Sequence, residues 1–207
     1  MRNKTFISSM VGIAAAVAVA GSANAALAFN GAGSNSSNTA PGNNGMVFTV
    51  GASDILVTHL GAYNGSVEVS TVGIYAYTGG STGTTGSIVA PTVNVTTTNA
   101  DDGSFSYVAL GASSFTLSAG QTYIVVNFST GDNFVSSTAA INAAASGITF
   151  NGYLYNYAAS FDPTMTSTDY WGVPYIGGNF QFSAVPAPGA LALLGAAGLV
   201  GARRRRA

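Results

Sequence analysis

Cysteine is absent from the 207-residue chain, and lysine and arginine are absent from everything between Lys4 and Arg203. The first absence rules out disulfides, thiolate metal sites and a cysteine nucleophile. It leaves export open, because a chain of this length can bury a core without cross-links. The second absence reaches further. Nucleic-acid affinity needs cationic side chains to neutralise phosphates, so the central region has no footing for DNA or RNA. It has no arginine fork for a carboxylate or phosphate. It also lacks the usual salt-bridge partners, so burial and backbone hydrogen bonding must hold the fold. Charged residues make up only 6% of the chain, against about 25% in ordinary domains. Histidine occurs once, at His59, and no G-x-S-x-G motif accompanies the serines, so a serine triad is not legible. The glycine-rich run 79–86 contains no lysine and reads as a loop, not as a phosphate-binding P-loop.

The charge that is present is segregated. Arg2 and Lys4 stand at one end, and Arg203, Arg204, Arg205 and Arg206 at the other. The seven acids, Asp54, Glu68, Asp101, Asp102, Asp132, Asp162 and Asp169, all lie between them. Removal of both ends leaves a purely anionic product.

Both ends read as removable signals. A basic start is followed by the apolar run 6–20 and by Ala23-Asn24-Ala25, an A-x-A site for signal peptidase. Residues 1–25 are therefore expected to leave, with Ala26 as the first mature residue. Ala26-Leu27-Ala28 offers a second cut, after Ala28. Residues 26–45, rich in Asn, Gly and Ser, read as a flexible leader. At the far end, Val185-Pro186-Ala187-Pro188-Gly189 precedes an uncharged Gly/Ala/Leu run, 189–202. The prolines enforce extended backbone, and a helix can start near Gly189. As a helix, the run spans about 21 Å at 1.5 Å per residue, short of a hydrocarbon core of about 30 Å. Snorkelling arginines extend that reach. Arg203–Arg206 form a stop-transfer block that stays cytoplasmic, so the chain is expected to cross the inner membrane once, with 26–184 outside.

This order of Val-Pro-x-Pro, small apolar helix and terminal arginine cluster resembles the PEP-CTERM sorting signal, also known as the ice-binding protein C-terminal domain. The resemblance covers roughly 185–207. It implies recognition by an exosortase, a membrane-embedded cysteine protease, and removal of the tail on the way to the surface of a bacterium with an outer membrane. Ala187 stands where the signal usually has Glu, and Val-Pro-Ala-Pro-Gly resembles a recurring variant.

Between the ends lie short β-type runs separated by turn residues. The clearest are 46–50, 55–63, 72–77, 93–97, 105–110, 115–117, 123–128 and 179–182. Ile124-Val125-Val126 is apolar on both faces, as in a central strand. Residues 136–146 have the composition of a short helix. Many short strands with frequent turns predict an all-β domain over 46–184, an antiparallel jelly-roll-like β-sandwich. Met46–Val50, Ile55–Gly61, Val72–Tyr75, Phe105–Val108, Leu117–Tyr123 and Asn179–Phe182 together resemble an uncharacterised β-sandwich exodomain, a domain of unknown function common in PEP-CTERM proteins. That resemblance implies a fold and no activity.

The chemistry in the domain is sparse. A glycosidase needs two carboxyls across a cleft, and Asp162 and Asp169 lie in an aromatic stretch, but most of the acids read as solvated turn residues. If a metal binds, hard oxygen ligands favour calcium near Asn99, Asp101, Asp102 and Asp132, though no EF-hand spacing exists. No cofactor is implied. Tyr153, Tyr155, Tyr157, Phe161, Tyr170, Trp171 and Tyr175 either pack the sandwich or present rings to sugars. Tyr170, Trp171 and Tyr175 are the candidates for glycan contact. The expectation is a non-catalytic structural or adhesive surface protein of the exopolysaccharide matrix, with signal peptidase, exosortase and transiently the inner membrane as partners. The alternative is a carbohydrate-binding module that stacks extracellular polysaccharide on aromatic rings, with or without calcium.

Overall fold

Fifteen strands run through the residues that the computed structural model describes, namely 25–29, 34–37, 41–63, 69–79, 85–90, 92–97, 99–101, 104–131, 133–136, 147–164 and 175–186. All of these belong to the compact unit Asn24–Ala187. In chain order the strands are β1 (Ala26–Leu27), β2 (Ser34–Ser37), β3 (Gly42–Val50), β4 (Ile55–Tyr63), β5 (Val69–Tyr77), β6 (Thr85–Ile88), β7 (Val93–Thr96) and β8 (Ala100–Asp101). They continue with β9 (Phe105–Ala109), β10 (Phe115–Leu117), β11 (Thr122–Ser129), β12 (Asn133–Ser136), β13 (Ile148–Asn156), β14 (Tyr175–Ile176) and β15 (Gly178–Ala184). The described fold is all-β and its sheets are antiparallel, as the strand pattern predicts.

One six-stranded sheet runs β1-β15-β4-β9-β8, with β10 also paired to β4; a second runs β13-β3-β11-β5-β6, with β7 also paired to β5. A small third sheet has the order β14-β12-β2. Both large sheets feed one apolar core. Met46, Phe48, Val72, Ile74 and Val125 of the second sheet cluster with Ile55, Val57, Leu60, Phe180 and Phe182 of the first. Phe48 and Phe180 lie with ring centroids 4.9 Å apart. Burial of large apolar side chains, each contributing about 1.5–3 kcal/mol, is what holds a domain that has neither lysine nor arginine.

Period-two alternation sends the intervening residues of the second sheet to its other face. There Val47, Tyr75, Ile124, Val126 and Leu154 form a separate buried cluster, against which Phe161 and Tyr77 pack. This explains why Ile124-Val125-Val126 is apolar throughout: β11 pairs with β3 on one side and β5 on the other, and both of its faces are covered.

Within the expected leader over 26–45, the described stretches 26–27, 34–37 and 42–45 are strands and not free chain. Ala26 pairs with Phe182 and Leu27 with Gln181, Ser34–Ser37 pairs with β12, and β3 already begins at Gly42. Phe29 is fully buried, edge-on to Phe48 at 6.5 Å and to Phe180 at 6.2 Å. Its backbone is clamped by Asn179, whose Oδ1 accepts from the Phe29 amide at 3.1 Å and whose Nδ2 donates to the Phe29 carbonyl at 2.8 Å. The same Nδ2 donates to the Tyr107 hydroxyl at 3.1 Å. Gly61 permits this arrangement, since a Cβ there would stand 2.4 Å from the Tyr107 ring.

β13 is a strand that the pattern of apolar runs does not reveal. Its pairing with β3 shifts register between Phe150 and Gly152, so Asn151 is an extra residue in a β-bulge. At the other end of the domain the pairing of β15 closes with Ala184 opposite Ile55, and the Val185 amide donates to the Asp54 carbonyl at 2.9 Å. Pro186 is exposed. Among the described residues no helix is long and apolar enough to cross a membrane. The expected signal peptide before Ala25, the helix 189–202, the arginine cluster and residues 137–146 lie outside the described residues.

Candidate functional site

The second sheet carries a cavity of about 390 Å³ on the face that bears the separate cluster. Its apolar floor is Val47 of β3 and Leu154 of β13, both buried and both members of that cluster. Tyr77 at the end of β5 contributes an aromatic ring, and Thr78 follows it. Gly79 completes this side with φ +85°, a left-handed conformation that glycine adopts without steric cost.

A ladder of uncharged polar groups borders the floor. Asn151 Nδ2 donates to Thr49 Oγ1 at 2.6 Å, and Thr49 Oγ1 shares a hydrogen bond with Thr122 Oγ1 at 2.9 Å. The three residues come from three neighbouring strands, β13, β3 and β11. Thr49 faces Thr122 directly in the register, and the bulge sets Asn151 beside them. Each group is thus fixed by strand pairing as well as by its own bond. Of these, Asn151 and Thr122 line the cavity.

Part of this face is roofed. The segment after β13 turns back over it, with Phe161 lying against Tyr75 at a centroid distance of 6.1 Å. Asn43 fixes the segment: its Nδ2 donates to Asn156 Oδ1 at 2.8 Å and to the Ser160 carbonyl at 3.2 Å, and its Oδ1 accepts from the Asp162 amide at 3.0 Å. Burial raises the Tyr75 phenol above its ordinary value, as it does for Tyr63.

No family model, curated protein or solved structure matches the chain. The reading of the site therefore rests on its own geometry.

Of the residues expected to meet glycan, Tyr170 and Trp171 lie outside the described residues. Tyr175 is half-buried and stacked on Phe134 at 4.2 Å, with Tyr153 at 5.4 Å. Within the wider aromatic group, Tyr153 belongs to the shared core and also lines the cavity, Tyr155 packs against the core, and Phe161 covers the second sheet. Tyr157 is 59% exposed, edge-on to Tyr155 at 5.5 Å. The cavity residues Tyr77, Thr122 and Asn151 were not singled out by sequence reasoning. Tyr77 and Thr122 sit at strand ends and Asn151 in an Asn-Gly pair, none of which stands out without the register.

Asp54, Asp162 and His59 make local hydrogen bonds. Asp54 Oδ1 accepts from the Ala119 amide at 2.8 Å and holds the turn after β10. Asp162 accepts from the Thr164 hydroxyl and, at 2.9 Å, from the Thr164 amide. These bonds, with a weaker contribution from Asn156, hold the Asp162 carboxyl below its ordinary value against partial burial. His59 Nδ1 lies 3.0 Å from Thr58 Oγ1. In the turn considered for calcium, Asn99 Oδ1 accepts from the Thr96 amide at 2.7 Å and the Thr96 hydroxyl at 3.2 Å, closing the turn itself. Among the described residues no group of three or more His, Cys, Asp or Glu is placed to hold a metal ion. Asp102, Asp132 and Asp169 lie outside them.

Proposed function

We propose that the chain is an exported surface protein of a bacterium with an outer membrane, processed at both ends, whose β domain is a non-catalytic structural or adhesive module of the extracellular matrix. The observation that carries the reading is the placement of the two predicted cut regions. Among the described residues, strand pairing starts at Ala26, the residue after the A-x-A site, and the last backbone bond is that of Val185, the first residue of the Val-Pro-Ala-Pro-Gly motif. β1 lies on β15 with Ala26 opposite Phe182, three residues before that motif. Ala26 and the end of β15, which border the two processing regions, thus lie side by side. That suits a precursor tethered to the inner membrane by a hydrophobic segment at each end. The first-strand pairing favours the cut after Ala25, because a cut after Ala28 removes β1. The tail, with its prolines, apolar run and Arg203–Arg206, supports recognition by an exosortase.

The finer fold in this proposal is a jelly-roll-like β-sandwich, supported by the shared core and by a chain that passes from the second sheet to the first and back through β3, β4 and β5. The non-catalytic reading is supported by the local structural bonds of Asp54, Asp162 and His59. The uncharged cavity supports the adhesive over the purely structural reading. Deleting the exosortase in the native host tests the sorting claim: an arginine-tailed precursor is expected to accumulate in the inner-membrane fraction. Unchanged release of the processed protein would contradict it.

A further inference from the structure

We infer that the cavity on the second sheet is a binding site for a neutral saccharide, with Tyr77, Thr122 and Asn151 as its recognition residues. The inference rests on the adhesive reading of the domain and adds to it the site and the ligand class.

Three properties select the class. The first is size: about 390 Å³ lies at the low end of the roughly 300–1,000 Å³ typical of small-molecule sites. The second is the mixture of surfaces. Val47, Leu154 and the Tyr77 ring present apolar and aromatic area, while Thr78, Thr122 and Asn151 supply hydroxyls and an amide. A pyranose ring has the matching division, with C–H faces and a rim of hydroxyls that both donate and accept. A wholly apolar ligand would match the floor of the cavity and not this polar border. The third is charge. No charged residue lines the cavity. The chain between its ends holds seven acids and neither lysine nor arginine. A uronate, sulfate or phosphate would therefore find no cation to pair with and would enter a repulsive field. The site is also prepared in advance. Asn151 and Thr122 are joined through Thr49 and carried on paired strands, the arrangement in which recognition groups keep their positions before a ligand arrives.

Affinity electrophoresis of the mature protein from its host tests this, using gels that contain dextran, mannan, galactan or soluble cellulose derivatives without charge, with alginate as the acidic comparison. The protein is expected to be retarded by at least one neutral polymer and not by alginate. Tyr77→Ala and Thr122→Val are each expected to weaken that retardation about fivefold or more, the scale of one lost hydrogen bond or ring contact. Thr122→Val keeps the side-chain shape and guards against a folding defect in Tyr77→Ala. Tyr157→Ala, at an exposed ring outside the cavity, is expected to bind as the parent does. Retardation by a neutral polymer that both cavity variants leave unchanged would overturn the assignment of the site while sparing the adhesive reading. Retardation by alginate alone would overturn the ligand class. Failure to bind any polymer would remove both this inference and the adhesive reading, leaving the sorting claim to its own test.

Discussion

Asn179 commits its whole amide to holding the segment around Phe29 in place. Oδ1 accepts from the amides of Phe29 and Phe180, and Nδ2 donates to the Phe29 carbonyl and the Tyr107 hydroxyl, with no exposed surface on the residue. Asn179→Ala leaves buried polar groups of Phe29 and Tyr107 without this partner. Each such loss costs about 1–3 kcal/mol, so a destabilisation of about 2–4 kcal/mol is expected. Urea unfolding of parent and variant checks it; a difference within about 0.5 kcal/mol, the range of ordinary surface changes, would show that the clamp is dispensable. Asp162 gives a pH-dependent counterpart. Its folded value lies below the ordinary 3.8 because the Thr164 hydroxyl and amide bond the carboxylate, with Asn156 adding a further bond. With a depressed folded value, the unfolded chain takes up the proton first as pH falls. The stabilisation is therefore present above the ordinary value and lost as pH drops through the folded one. The stability difference between parent and Asp162→Asn should be constant from pH 7 to pH 5 and shrink toward pH 3 in urea unfolding. A difference that grows on acidification would contradict the bonding described.

The strands differ in how openly the sequence announces them. β4 and β10 coincide with their predicted runs, and β3, β5, β11 and β15 extend theirs by a few residues, because β-branched and aromatic side chains mark a pleated, buried surface. β13 was hidden by Asn151-Gly152, a pair that ordinarily signals a turn and here forms a bulge. The strands within 26–45 are illegible in the sequence for a related reason. Composition reports on side chains, whereas strand pairing uses the backbone, so Asn- and Gly-rich residues can join a sheet when neighbours satisfy their amides. Asn43 is buried yet bonded to Asn156, Ser160 and Asp162. The cavity was illegible for a third reason: its residues come from strands distant in sequence, and only the register of β13, β3 and β11 brings them together. At this scale β1 and its following residues act as a plug. Phe29→Ala empties a fully buried aromatic site and is expected to cost about 3–5 kcal/mol, read as a lower urea midpoint. A midpoint close to that of the parent would mean that the segment does not contribute to the core.

The whole molecule divides along its charges. The described domain contains neither lysine nor arginine, and every cation belongs to a terminal segment expected to be discarded. Its cohesion comes from one core shared by two sheets, a second apolar cluster beneath the Phe161 segment, and buried asparagines that bond the backbone. The pairing of Ala26 with Phe182 gives this division its physical form, since the domain is closed by the two stretches that processing is expected to leave as its ends. Mass spectrometry of the protein isolated from the surface or medium of its native host measures those ends directly. The account predicts a first residue of Ala26, a last residue within Val185–Gly189, and no peptide containing Arg203–Arg206. An extracellular protein that retains its arginines, or that starts well inside β3, would contradict it.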